Sequence, residues 1–325
     1  MILIITSRTD ITADLVVLEL QRRHLPYFRL NTEDFPASID ISWTANSPDI
    51  PFELRKGRDV LSLDTISSVW YRRPGTPNPS RVLTEIADID FARRESQAYL
   101  QDLWPTLDCF WISQPERIRA AENKLLQLRL AHDCGLDVPS TVITNVPDVA
   151  KTFFKRHSRI IVKPLRSQII AVGDTHAVVP FATLLSSENA EQLADLLRFA
   201  PVVVQNFVAK VFDLRVTVVG SRVFATEIHG NPGDGTAVDW RRARDISSLR
   251  HIPHHVPSCI STGVLALIRR LGLQFGALDF AVTSDNRYVF LELNPNGQWA
   301  WIEQLTGAPI SGAIVDLLSG SGDPA

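Results

Sequence analysis

LELNPNGQW, Leu291 to Trp299, alternates apolar and polar side chains until a proline stops it. Side chains in a strand point alternately to opposite faces, so Glu292 and Asn294 project together, with Leu291 and Leu293 on the other face. Just upstream, GALDFAV (Gly276–Val282) sets Asp279 between Ala277 and Ala281 on its own face. The polar pair Asp285-Asn286 separates Phe275–Thr283 from Tyr288–Leu293, which predicts a hairpin. That hairpin would gather Asp279, Glu292 and Asn294 into a hard, oxygen-only donor set, suited to Mg²⁺ shared with phosphate oxygens. Without a cation the two carboxylates would repel and one would protonate. The competing reading is an exposed polar strand face ending in a plain Asn294-Pro295 turn.

Four other segments carry charge in unusual settings. In RIIVKPL, Lys163 sits within a β-branched run, where an ammonium is costly without a partner. A triphosphate would be such a partner; an edge-strand lysine reaching water is the alternative. Lys124 in ENKLL reads by itself as part of a solvated helix face. In VVVQNFVAKVFDLRVTVVG (Val202–Gly220), the backbone of Gln205, Asn206, Phe207 and Val208 could read an adenine edge. Asp213 and Arg215 share a face of the next strand, where an arginine can hold a phosphate or carboxylate in its planar fork; a surface salt bridge is the alternative. In VDWRR, Arg241 or Arg242 follows a glycine-rich loop that could face anions.

Composition bounds the rest. The 325 residues are 45% hydrophobic and 21% charged, as in globular proteins, and length predicts two or three domains. A net charge of −3 supplies no field for nucleic acid or an anionic membrane. MILIITS lacks the basic start and cleavage site of a signal peptide, and no apolar run reaches the roughly 18 residues that span a bilayer. Cys109, Cys134 and Cys259 have no paired metal spacing and read as reduced and mostly buried, so the expected compartment is the cytoplasm.

The order of elements predicts an α/β unit first: a strand at Met1–Thr6, a helix from Asp10 or Thr12 to His24 with Ile11, Leu15 and Leu18 on one face, and a strand at Leu25–Leu30. Weaker strands follow near Ile39–Thr44, Val60–Leu63 and Val69–Arg72, then a helix over Pro79–Trp104 and a strand at Cys109–Ile112. One helix is expected from Pro115 to Cys134. A small α+β region follows, with strands at Ser140–Thr144, Arg159–Leu165 and Ala177–Phe181. It has helices from Pro147 and over Glu188–Arg198, and a loop or short hairpin at Arg166–His176. From Pro201 strands dominate: Val202–Val208, then Phe212–Val219 and Arg222–Ile228 around a Gly220-Ser221 turn. Helices are expected near Pro257–Leu271 and Pro309–Leu318, with Gly320–Ala325 frayed. His251, His254 and His255 read as a solvated loop cluster.

These pieces, in this order, resemble the ATP-grasp superfamily and, more narrowly, microviridin-type ATP-grasp ligases that mature ribosomally made peptides. The segments that carry the resemblance are SVWYRRP (Ser68–Pro74), Glu122–Asn145, IVKPL (Ile161–Leu165), Phe212–Ile228, VDWR (Val238–Arg241), GALDFAV and FLELNPNGQWAWIE, which span nearly the whole chain. The resemblance implies an ATP-grasp fold of class α/β (α+β), with a pre-ATP-grasp α/β domain over 1–113. A central lid domain would cover 114–200, and an antiparallel-sheet catalytic domain 201–325. It implies ATP and Mg²⁺ as cofactors, with Lys124 and Lys163 on phosphates and Gln205–Val208 as the adenine hinge. Asp279, Glu292 and Asn294 would be the metal ligands, with Arg215 and Arg241 around the γ-phosphate and the incoming carboxylate. Lys210 and Asp213 would lie near the nucleotide. The implied reaction activates an Asp or Glu side chain of a precursor peptide as an acyl phosphate and joins it to a Ser/Thr hydroxyl or Lys amine. The implied partner is a ribosomal precursor peptide whose leader docks near Glu188–Arg198 and Phe212–Ile228, where Glu188, Glu191 and Asp195 would form an acidic stripe. A homodimer is compatible with it; nucleic acid and membrane are not expected. PLRSQIIAVGD after Lys163 departs from the pattern in having little glycine. Rival readings are a small-molecule amino-acid or peptide ligase, a ligase adding glutamate to proteins, and a nucleotide-binding scaffold without turnover. No Gly-x-Ser-x-Gly or His-Glu-x-x-His segment offers a protein nucleophile or zinc site.

Overall fold

The computed structural model describes residues 1–47, 49–165, 170–172, 176–178, 182–186, 197–231, 233 and 235–325. β1 (Ile2–Thr6) is buried along its whole length, as an all-apolar strand in a parallel sheet must be. Asp10 caps α1 (Ile11–Arg22) by accepting the Thr12 N–H, and β2 (Tyr27–Asn31) follows. Ile11, Leu15 and Leu18 do share a face, but it is the outer one: Ile11 and Leu18 are exposed, and Ala13, Val16 and Leu20 meet the core. The buried face is the one that packs with the C-terminal helix Ile310–Leu318 and β1.

β3 (Asp40–Ser42), β4 (Glu53–Lys56) and β5 (Asp59–Ser62) make a small antiparallel sheet. β4, with the sequence ELRK, carries too many charges to read as a strand. β6 (Ser68–Tyr71), α2 (Ile86–Leu103) and β7 (Phe110–Ile112) complete a parallel sheet of order β2-β1-β6-β7. The expected single helix after Pro115 is two, α3 (Pro115–Ala121) and α4 (Lys124–Asp133). Glu122 ends the first, and Asn123 caps the second by accepting the Leu126 N–H.

The central sheet has order β12-β9-β13-β8, all antiparallel, from β8 (Thr141–Thr144), β9 (Arg159–Lys163), β12 (Thr183–Ser186) and β13 (Val202–Asn206). α5 (Pro147–Arg156) packs on it through Ala150 and Phe154. β10 (Ile170–Val172) pairs with β11 (His176–Val178). Most of the expected helix Glu188–Arg198, its acidic stripe, and much of the loop Arg166–His176 lie outside the described residues, as does the end of the expected strand Ala177–Phe181.

The last sheet has order β16-β15-β14-β17-β18, built from β14 (Phe212–Val219), β15 (Arg222–His229), β16 (Arg250–His254), β17 (Phe275–Val282) and β18 (Tyr288–Asn294). One face buries Leu214, Val216, Leu278 and Phe290 under α6 (Ser258–Arg270) and α4. The other carries Asp213, Arg215 and Thr217, with Asp213 lining the cleft that faces the central sheet. His255 is exposed in the loop after β16, as expected, but the other two histidines are not solvated. β16 holds His254 between Glu227 (Nδ1, 2.8 Å) and the Tyr288 hydroxyl (Nε2, 2.9 Å), and His251 packs edge-on against Trp301.

α7 (Ala300–Thr306) and α8 (Ile310–Leu318) return to the N-terminal sheet. Ile310 and Ile314 join Ile2, Ile4 and Val16 in one apolar cluster, and the Ser68 hydroxyl donates to Leu318 O at 2.7 Å. The tail expected to fray is held: Ser221 N–H donates to Asp323 O (3.0 Å) and Ala325 N–H to Gln274 Oε1 (2.8 Å). Cys109 and Cys134 are half-buried and Cys259 is exposed, so burial of the thiols is less than expected.

Candidate active site between the two antiparallel sheets

A cleft of about 670 Å³, its open mouth included, separates the central sheet from the polar face of the five-stranded sheet. Its floor is the hairpin that alternation predicts. β17 and β18 pair with Asp279 directly opposite Glu292, but the next pair is Phe280 with Phe290, so Leu291 is an extra residue in β18. That bulge corrects the simple alternation: Leu291 and Glu292 both line the cleft, whereas Phe290 and Leu293 enter the core. Asn294 lies opposite Ala277, and its Oδ1 accepts the Asn296 N–H at 3.0 Å. The hairpin therefore brings Asp279 and Glu292 together at the cleft, and Asn294 borders a neighbouring cavity instead.

The register of β14 and β17 sets Arg215 opposite Asp279, with Nε 3.3 Å from the carboxylate. Arg215 Nε is buried without a hydrogen bond, and its guanidinium lies over Trp240. Arg241 is gripped by Asp239, whose Oδ1 accepts Nε at 2.8 Å and Oδ2 accepts Nη2 at 3.0 Å. Its Nη1 donates to Glu292 at 2.8 Å. Arg242 donates to Ala182 O instead, which assigns Arg241 to the cleft. Lys124 is not on a solvated face: the break before α4 aims it inward, 3.3 Å from Glu292 and 3.4 Å from Pro164 O. Lys163 borders the cleft from β9.

Charge dominates this site. Burial raises the Glu292 pKa, but Lys163, Arg241 and Lys124 outweigh it and hold the carboxyl far below its usual range. Burial raises that of Asp279, opposed by Arg215 and reinforced by Glu292. Lys163 is lowered by burial, with Glu292 opposing. Asp239 is lowered: its burial acts upward, and the Arg241 hydrogen bonds prevail. Burial pushes Asp213 up to about 7 although Lys210 Nζ is 2.7 Å away.

At the end of β13, Gln205 is fixed by its side-chain bond to Thr141 (3.0 Å). The Asn206 and Phe207 N–H groups donate to Ser140 O and Arg159 O. Among the described residues, the Val208 N–H makes no backbone bond, so the expected hinge offers fewer donors than its four residues suggest. Arg159 stacks on the outer side of Phe207, 4.0 Å from the ring centroid.

The donor set fits a divalent metal with phosphates. Two facing carboxylates repel without a cation, and the surrounding lysines and arginines can take the phosphate oxygens. Among the described residues, no group of three or more His, Cys, Asp or Glu side chains could hold a metal ion. Sequence reasoning missed Asp239, Trp240 and Leu291 as cleft residues; only the Asp239-x-Arg241 spacing offered a signal.

A family model described as MvdD pre-ATP grasp domain matches residues 1–119. No curated protein matches the chain. A Chryseobacterium gregarium RiPP-associated ATP-grasp ligase, solved with ADP and a leader and core peptide, superposes with a TM-score of 0.92 at 28% identity, covering 99% of this chain and 97% of that one. Macrocyclase MdnC from Microcystis aeruginosa, bound with precursor peptide MdnA, gives a TM-score of 0.84 at 28% identity over 99% of each chain. Macrocyclase MdnB from the same organism gives 0.77 at 30% identity over 98% of each chain. Identity of this extent, over essentially whole chains that share the fold, means that this chain belongs to the microviridin-type ATP-grasp ligases.

Proposed function

We propose that the cleft binds MgATP and that the chain forms ω-ester or ω-amide crosslinks within a ribosomally made precursor peptide. The observation that supports this best is the facing pair Asp279 and Glu292 inside a ring of Lys124, Lys163, Arg215 and Arg241. In this reading Asp279 and Glu292, with Asn294 at their edge, hold Mg²⁺, which neutralises phosphate charge when bound. Lys124 and Lys163 bind phosphate oxygens, and Arg215 and Arg241 hold the γ-phosphate and the substrate carboxylate. Gln205 to Val208 border the adenine, with Val208 N–H as donor, and the Lys210–Asp213 pair stiffens the wall beside it. A peptide carboxylate attacks the γ-phosphorus and ADP leaves. A Ser, Thr or Lys side chain then attacks the acyl carbon, loses its proton, and phosphate leaves. The net loss from the peptide is one water.

We further assign residues 1–113, 114–200 and 201–325 to the pre-ATP-grasp, lid and catalytic domains. The reaction belongs in the cytoplasm, where three unpaired cysteines stay reduced. Among the described residues no helix is long and apolar enough to cross a membrane.

The test is mass spectrometry of the peptide encoded by a short reading frame beside this gene, rich in Thr/Ser and Asp/Glu, after incubation with enzyme and MgATP. Water loss supports crosslinking. A gain of one amino-acid mass identifies a ligase that adds free amino acids, and unchanged peptide with no ADP release rejects both.

A further inference from the structure

Beside the nucleotide cleft lies a second cavity, of about 930 Å³, bordered by Tyr71, Arg73, Trp104, Arg119, Asn294 and Asn296. It opens at the carboxyl ends of the parallel strands. From β1 the chain crosses through α1 to β2 on one side, while β6 and β7 lie on the other. In open α/β sheets such a reversal leaves a crevice at the strand ends where ligands bind. The residues that follow β6 there are Arg72 and Arg73, and they do different things.

Arg72 is fully buried and structural. Its Nε is 3.2 Å from Asp10, its Nη1 donates to the carbonyls of Asn296 and Gly297, and its Nη2 donates to Gln298. Arg73 donates only Nε, to Asn296 O at 3.0 Å. The other arginines at this junction face a carboxylate: Arg72 has Asp10, Arg119 has Glu116, Arg215 has Asp279, and Arg241 has Asp239 and Glu292. Among the described residues, Arg73 alone of this group has no carboxylate within ion-pair distance. Its backbone has φ of +44°, a left-handed conformation that arginine rarely adopts and that strained functional positions often retain. Burial lowers its pKa, Asp10 opposes this, and the nearby Arg215 lowers it further. The side chain is nonetheless exposed to the cavity, which Glu116 and Glu122 also line.

We propose that this cavity holds the core segment of the peptide substrate and that Arg73 binds one of its carboxylates. The inference rests on the ligase reading above. Asn294 borders this cavity and Glu292 the nucleotide cleft, two residues apart on β18, roughly 7 Å along a strand. A peptide seated against Arg73 thus presents neighbouring acidic side chains at the place where phosphate transfer occurs. Arg73 is free to fork onto a planar carboxylate because its Nε bond to Asn296 O fixes the guanidinium without neutralising it.

The assay is ADP release with the peptide that loses water above, over a range of peptide concentrations, for wild type, Arg73→Gln and Arg73→Lys. Glutamine keeps an N–H donor for Asn296 O and removes the charge. The KM for peptide should rise roughly ten- to a hundredfold in Arg73→Gln, as for loss of a charge-assisted bond. Lysine should recover part of it, and affinity for a non-hydrolysable ATP analogue, by calorimetry, should stay within about twofold of wild type. An unchanged peptide KM, or an equal loss of nucleotide affinity, overturns the proposal. If Arg73→Gln does not fold, Arg73→Lys decides: it loses the planar fork, so a KM equal to wild type overturns the proposal. Wild type that releases no ADP with any acidic peptide defeats the ligase reading, and this inference with it; normal wild-type turnover with an insensitive Arg73 defeats this inference alone.

Discussion

Replacing Glu292 by glutamine removes one charge and leaves the side-chain shape. In the folded protein Glu292 accepts from Arg241 at 2.8 Å, lies 3.3 Å from Lys124, and faces Asp279 across the ladder. A hydrogen bond to a charged group contributes about 1.5–3 kcal/mol and a neutral one about 0.5–1.5. The amide oxygen can still accept, so these contacts lose about 1–3 kcal/mol together. Part of that is offset, because Asp279 loses the like charge that disfavours its own ionisation. The melting temperature should therefore fall by only a few degrees, at about 2–4 °C per kcal/mol for domains of this size. Turnover should suffer far more. Metal-assisted charge neutralisation supplies several kcal/mol of transition-state stabilisation, and each ~1.4 kcal/mol is tenfold in rate. Loss of one of two carboxylate ligands should lower kcat roughly 10²- to 10³-fold. Coupled ADP release and differential scanning fluorimetry on the same preparation separate the two effects. Turnover within about threefold of wild type, with an unchanged melting curve, would refute Glu292 as a metal ligand.

Lys163→Ala should weaken ATP binding roughly ten- to a hundredfold through loss of a charge-assisted bond, read by calorimetry; unchanged affinity returns Lys163 to a structural role on β9. Asp213 titrates near 7 in the fold against 3.8 unfolded, so the folded state binds the extra proton and stability should fall as pH rises from about 4 to about 7. Thermal melts across that window at fixed ionic strength should show the slope, and Asp213→Asn should flatten it; an identical slope in the variant contradicts the assignment. Arg72→Met leaves buried Asp10 unpaired and should cost about 3–5 kcal/mol, seen as a lower denaturant midpoint for the first unfolding transition. A midpoint equal to wild type would show that the Asn296–Gln298 turn holds the sheets together without Arg72.

What the sequence determined by itself was local. The period-2 alternation of GALDFAV and LELNPNGQW, with a polar turn between them, is enough to predict the hairpin and its polar residues, but the register running from the turn would set Asp279 opposite Leu291, and the bulge is what places Glu292 there. Likewise β1, the Gly220-Ser221 hairpin and most helix positions follow from nearest neighbours along the chain. Other features were decided only by tertiary structure. The extra residue at Leu291 breaks alternation without any glycine or proline to mark it. Lys124 reaches Glu292 from 168 positions away in sequence, after a helix break that only the Asn123 cap reveals. Which face of α1 is buried depended on α8 returning to cover β1 and α1, and which arginine lacked an anion depended on carboxylates from five separate segments. Alternation and propensity act over a turn or a pleat. Burial and charge pairing are settled by whichever distant segments the packed core brings within a few ångströms.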